Sequence, residues 1–409
     1  MCCFLGAQGG KSSSLFPILF VLAVVFTLPG CGSTEVSEQA TSDTQLPYQI
    51  DLAAAYDQRE AIPLSRIAES ISYIPLDTKD EALIGNYPNF YLVGDYIISM
   101  AFQQAFLFDK NTGAFIKTLK NYGPGPDEYK STMPFVHADE GRQVVYVKDN
   151  RNLNLGLDVN GETRLRFKSP EGSGIYITSY AQLTDELFIG YQPNYDCKTE
   201  VVLVLFNTKG EVVKVFPNQL TCENPDPNII SIDTGEGAFY RWQDQVSFKE
   251  QYNDTLFTVT ADSLIARAVF NSGEHSLRYE DKKKYEGIDE DFHYISHLDE
   301  SDDYLFFELA FRGKRFSGYF DKGTGQTHLA TSASGETHAY INDLDGFLPF
   351  QPKYATNDNL LVGYMEAPDV LSWIDENPEK AKQLPSELKQ YLQLKADDNP
   401  VVMVVKLKD

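Results

Sequence analysis

Three stretches of the chain combine side chains that could do chemistry. His293-Tyr-Ile-Ser-His297 spaces two imidazoles so that, in a strand, positions 293, 295 and 297 share one face and both rings could meet a metal. Asp289, Glu290, Asp291, Asp299 and Glu300 flank them, but no Cys/His signature completes a ligand set. The pair therefore reads as a partly buried strand-edge pair, and no metal or other cofactor is expected. Tyr122-Gly-Pro-Gly-Pro-Asp-Glu-Tyr129 could offer carbonyls, Asp127, Glu128 and Tyr129 to a ligand. The competing reading is structural: Gly and Pro fix a crossing between repeats, and Glu128 satisfies backbone donors. Asn342-Asp-Leu-Asp-Gly346 hints at a calcium loop but lacks the later ligands and the bidentate Glu, so it reads as a turn.

No Gly-x-Ser-x-Gly elbow, P-loop or dinucleotide fingerprint sits in a suitable strand–helix setting. No catalytic residue is assigned. The formal net charge is −24, from 59 acidic and 35 basic residues, a surface that repels phosphate backbones and argues against nucleic acid as a partner.

The first thirty residues read as an address. Lys11 precedes an apolar stretch, Leu15 to Phe26, too short to span a bilayer comfortably but suited to a secretory signal. Leu28-Pro29-Gly30-Cys31 follows and resembles a bacterial lipobox, although Pro29 replaces the more usual Ala or Ser. Cys31 is thus the expected lipidation site, with residues 1–30 removed and the polar residues 31–48 serving as a flexible tether. Acyl chains at about 0.8 kcal/mol per buried CH₂ would make the membrane attachment stable. Of the remaining thiols, Cys197 and Cys222 could pair in an oxidising envelope, worth about 3 kcal/mol by chain entropy; their spacing alone leaves the pairing open.

Behind these residues lies a repeating scaffold. An acidic or Gly turn followed by an apolar run recurs at Asp95, Gly141, Asp185, Asp244, Asp303 and Asp358. The spacing, roughly 45 to 60 residues, is that of four-stranded propeller blades. A second apolar run follows each copy, and five then pass a polar turn such as Asp109-Lys-Asn-Thr-Gly113 into a further strand. The sixth copy ends the chain without an outer strand, whereas Ile71-Ser-Tyr-Ile-Pro-Leu-Asp77 is a spare strand near the start. Pro75 suits it to a sheet edge. The expectation is an all-β, six-bladed propeller over residues 49–409, closed by this N-terminal strand completing the last blade. Small helical insertions are expected at Ser276–Tyr285, Pro368–Ile374 and Ser386–Leu394. Leu388, Tyr391 and Leu392 would form an apolar stripe against the rim.

Ile71-Ser-Tyr-Ile-Pro-Leu-Asp-Thr78, the Gly-rich turn at 122–129 and Asn253-Asp-Thr-Leu-Phe-Thr-Val259 together resemble six-bladed β-propeller lipoproteins of Gram-negative envelope bacteria, relatives of NHL-type propellers. The turn differs from the commoner form in having Asp127 where Gly is frequent. The resemblance implies fold and a cell-envelope location, lipid-anchored at the outer membrane, more firmly than function. The leading functional reading is non-catalytic binding of a glycan, peptide or protein partner. A hydrolase or lyase acting on saccharide or peptide, and a structural component of an envelope complex, are the alternatives.

Overall fold

A computed structural model describes residues 46–408, apart from 102–103, 120–122, 124, 126–127, 131–134, 149–151, 173, 196, 221, 223–235, 283–287 and 332–336. The described chain opens with β1 (Tyr48–Asp51), α1 (Leu52–Asp57) and β2 (Ala68–Pro75). Blade one follows as β3 (Asn89–Val93), β4 (Tyr96–Ala101), β5 (Gln104–Asp109) and β6 (Phe115–Thr118). Blade two is β7 (Phe135–Asp139), β8 (Val144–Lys148), β9 (Leu153–Leu157) and β10 (Thr163–Lys168). Blade three is β11 (Ser179–Gln182), β12 (Leu187–Tyr191), β13 (Val201–Asn207) and β14 (Val212–Pro217). Blade four is β15 (Gly237–Trp242), β16 (Gln245–Glu250), β17 (Thr255–Val259) and β18 (Leu264–Asn271). After α2 (Ile288–Asp291), blade five is β19 (Tyr294–Glu300), β20 (Tyr304–Phe311), β21 (Lys314–Asp321) and β22 (Gln326–Leu329), with β23 (Thr337–His338) beside β21. Blade six is β24 (Tyr354–Ala355), β25 (Leu360–Met365) and β26 (Val401–Leu407), with α3 (Ala367–Glu376) and α4 (Pro378–Gln383) inserted between the last two strands.

The ring closes where the spare strand was expected to close it. β2 pairs antiparallel with β26, from Ala68 opposite Leu407 to Pro75 opposite Val401, and forms the outer edge of blade six. Pro75 sits at the strand's end, where its missing N–H costs little. Just beyond, Asp77 N–H donates to the Gly113 carbonyl (2.9 Å) and its Oδ2 accepts from Phe115 N–H (3.0 Å), fastening blade six to blade one. Gly113 has φ +71°, and a Cβ there would lie 1.9 Å from the Pro75 carbonyl oxygen, so only glycine fits this seam.

Packing explains the unbroken apolar runs. Each blade is covered on both faces, so successive side chains enter different cores. Phe306 packs with Leu361 and Met403 of blade six, while Phe307 packs with Phe270 and Leu256 of blade four. Separate cores likewise join blades one and two, two and three, three and four, and six and one. A strand buried on both faces shows no polar–apolar alternation.

The N-terminal segment also straps three blades. β1 adds in parallel to the edge of β18 in blade four. Glu60 then exchanges backbone bonds with Leu329 and Thr331, and Ile62 and Leu64 with Ile341, before β2 enters blade six. Asn342–Gly346 is a turn, and Asp343 accepts from Ser65 N–H at 2.9 Å, so this loop anchors the strap.

Two helical expectations need correction. Ser276–Tyr285 is not a helix as far as it is described: 3₁₀ turns at Gly273–His275 and Tyr279–Asp281 flank extended backbone, and Leu277 and Tyr279, two residues apart, both enter one small core with Tyr252. Ser386–Leu394 holds only a 3₁₀ turn, Lys389–Gln393. Its Leu388 and Tyr391 are nonetheless buried with Leu392 beside them, and the Tyr391 hydroxyl donates to the Tyr73 carbonyl at 3.2 Å. α3 covers the Pro368–Ile374 expectation.

Candidate functional site

The first strand of every blade faces a common central channel holding a cavity of about 280 Å³. Tyr91, His137, Tyr180, Arg241, His297 and Tyr354 each represent one blade in its lining. Antiparallel connectivity places the first-to-second-strand hairpins at one end of the channel and the blade-to-blade crossovers at the other.

The hairpin end is bridged across the axis. Arg241 Nε of blade four donates to Asp139 Oδ2 of blade two at 2.8 Å. Glu140, next along blade two, accepts at Oε2 from the Tyr354 hydroxyl (3.0 Å) and from Asn357 N–H (3.1 Å), both of blade six. Asn357 Oδ1 accepts in turn from Gln243 N–H of blade four at 2.7 Å. Three alternate blades are therefore linked in a closed circuit, which forms a stopper. Gln243 holds φ +52° in the tight β15–β16 hairpin, a conformation costly for a residue with a Cβ, and its amide is one link of the circuit. Blade three joins through the Gln182 carbonyl, which accepts from Arg241 Nη2. Blade five joins through Asp299, whose oxygens accept from Ala355 N–H (2.7 Å) and Glu300 N–H (2.9 Å).

Burial sets the ionisation of the lining. Asp299 is fully enclosed, and burial pushes its carboxyl up to about 8 against the two backbone donors that favour the charged form. Burial also raises Glu140. His137 and His297 are both driven down to about 4 by burial, so both are neutral at pH 7. Lys353 lies 3.2 Å from Glu308; burial would raise the Glu308 carboxyl, but Lys353, Ser296 and Arg315 outweigh it and hold it near 2.

The residues singled out from sequence lie elsewhere, with one exception. Cys31 and Asp127 fall outside the described residues. Glu128 accepts from Gly125 N–H at 2.7 Å and Gly123 N–H bonds the Tyr129 carbonyl at 3.0 Å, which is the structural reading of that loop. Tyr129 is buried in the core between blades one and two, where burial raises its hydroxyl to about 12. Cys197 and Cys222 form a disulfide that ties the β12–β13 loop to the crossover between blades three and four. His293 and His297, which a regular strand would put on one face, lie in different surroundings. β19 begins only at Tyr294 and a bulge between Ile295 and His297 breaks the alternation. His293 instead packs against Tyr56, His275 and Phe311, while His297 faces the channel. Among the described residues no three His, Cys, Asp or Glu side chains gather as a metal site. The stopper escaped sequence reasoning because Asp139, Arg241 and Asn357 share no local pattern; only their position at the end of first strands and in hairpins signals them.

These features define a six-bladed β-propeller with an axial channel bridged at one end. The chain belongs to the family described as Domain of unknown function (DUF4934), whose model matches residues 47–406. Among solved structures it is similar to an exported protein of Bacteroides fragilis, with 16% identity, TM-score 0.63, and coverage of 88% of this chain and 99% of that one. It also matches a DUF4221 family member from Bacteroides vulgatus (11% identity, TM-score 0.48, 83% and 97% covered) and BamB from Moraxella catarrhalis (14%, 0.31, 84% and 91%), likenesses on which nothing further rests. No curated protein matches the sequence.

Proposed function

We propose that this chain is a lipid-anchored cell-envelope protein of the NHL-like propeller type, held at the outer membrane through Cys31. Its propeller binds a glycan, peptide or protein partner at the crossover end of the channel without transforming it. The observation that carries the binding reading is the stopper: bridging one end of a central cavity makes it a blind pocket, the concave form that ligand sites take. The envelope location is supported by the signal and lipobox pattern at 15–31, and by the description of the Bacteroides fragilis relative as exported. The channel's two elevated carboxyls engage Ala355, Tyr354 and Asn357 of blade six, contacts that join blades, which favours binding over hydrolase or lyase chemistry.

The full chain, expressed in a Gram-negative host with labelled palmitate, should carry label in the membrane fraction, and Cys31→Ala should lose both label and membrane retention. The membrane-purified protein should capture members of a glycan, peptide or envelope-protein library, and that capture should disappear when the channel is filled by Ala238→Trp. Unlabelled wild type, or capture indifferent to the filled channel, would overturn the corresponding half of the proposal.

A further inference from the structure

Away from the channel, His293 is buried with its polar atoms unanswered. It is 5% exposed, and among the described residues neither ring nitrogen has a hydrogen-bond partner. A buried polar group left so carries its full desolvation cost, which native folds ordinarily avoid. Tyr56 of α1 and Phe311 wall the ring. Burial drives the imidazole down to about 4, so at pH 7 it is neutral and holds a lone pair on one nitrogen.

The backbone brings a second imidazole beside it. His293 N–H donates to the His275 carbonyl at 2.9 Å, and the two ring centres lie 5.1 Å apart. His275 Nδ1 is 3.0 Å from the Asp291 carbonyl, which only accepts, so Nδ1 carries the proton and Nε2 the lone pair. Metal-binding histidines are oriented this way, their other nitrogen fixed by a carbonyl or carboxylate. His275 Nε2 lies 3.7 Å from Glu274 Oε1, and the Glu274 side chain is 90% exposed, able to turn without loss of packing. A tetrahedral zinc ion about 2.0–2.1 Å from each ring nitrogen would separate two imidazole centres by about 5.2 Å, close to the spacing here. Arg312 opposes positive charge at His293, and the Glu274 carboxylate offsets it. We infer that His275, His293 and Glu274 bind one divalent cation of the zinc class, with a fourth position left to water. The ion draws Glu274 in and completes the set. Bound there, it ties the turn that follows blade four to the entry of blade five, next to Tyr56 of the N-terminal strap.

The test titrates zinc chloride calorimetrically into the full, untagged protein, stripped with a chelator, near neutral pH. One equivalent should bind, and cobalt(II) in its place should give the visible absorption of a tetrahedral site. His275→Ala, His293→Phe and Glu274→Gln should each weaken binding by at least about tenfold, since losing a ligand costs no less than losing an outer-sphere partner. Zinc should raise the melting temperature of the wild type and leave both histidine variants unmoved. His293→Phe sets a ring of similar size among Tyr56 and Phe311, so its metal-free melting temperature should stay near that of the wild type. Should that variant fail to fold, His275→Ala, at a partly exposed side chain, decides the matter. No zinc uptake by the wild type, a cobalt spectrum of octahedral type, or undiminished binding to any folded variant of the three would overturn the inference.

Discussion

Replacing Arg241 with Met tests the stopper most directly. Asp139 and Arg241 are nearly enclosed, with side-chain exposures of 4% and 12%, and their contact at 2.8 Å joins blades separated by 102 positions in sequence. Without the guanidinium, the Asp139 carboxylate keeps the Arg142 amide at 3.0 Å and the Arg142 Nε only at 3.9 Å. Breaking one side of a buried pair costs about 3–5 kcal/mol because the other charge stays uncompensated. The residual Arg142 contacts place Arg241→Met near the lower end, about 3 kcal/mol. Asp139→Ala should cost about the same, since Arg241 then keeps only the Gln182 and Asp244 carbonyls. The double variant should cost much less than the sum, with a coupling energy of about 2 kcal/mol. Urea unfolding followed by tryptophan fluorescence is the assay, because Trp242 adjoins Arg241 and reports on the same hairpin. Additive effects, with each single variant below about 1 kcal/mol, would refute the view that this pair links the blades across the axis.

Two further outcomes follow from the same fold. Reducing the Cys197–Cys222 bond, or replacing both residues with Ser, should lower stability by about 3.5 kcal/mol on the chain-entropy model for a separation of 25 residues; a melting temperature insensitive to dithiothreitol would contradict it. The pH dependence should carry two opposite slopes. Asp299, raised to about 8 in the fold, contributes stability that is complete below its unfolded value near 4 and is lost as pH rises towards 8, so Asp299→Asn should flatten the decline between pH 6.5 and 8. His137, His293 and His297, each lowered to about 4, contribute stability present above about 6.5 and lost as pH falls towards 4. Denaturant midpoints measured from pH 4 to 9 read both, and a profile unchanged by Asp299→Asn would remove the assigned cause.

Local chemistry carried the architecture. Runs such as Tyr304-Leu-Phe-Phe and Val401-Val-Met-Val-Val are apolar on both faces because each face meets a neighbouring blade, and turns such as Asp109–Gly113 need positive φ at a residue without a Cβ. Those constraints act within a few residues and recur six times, so blade number and the role of the N-terminal strand could be counted from the chain itself. The helical estimates at 276–285 and 386–394 failed for the complementary reason: short stretches take their backbone from what they pack on, and Leu277 and Tyr279 are drawn into one small core with Tyr252.

The channel belongs to the ring as a whole. Asp139, Gln243 and Asn357 acquire meaning only when closure brings three hairpins, more than a hundred residues apart in sequence, to one axis. The His293–His297 spacing does not define one face because β19 begins at Tyr294 and its pairing with β20 carries a bulge between Ile295 and His297. Periodicity is a property of neighbouring residues and can be read along a chain; a site built from one contribution per blade exists only once the circle is shut.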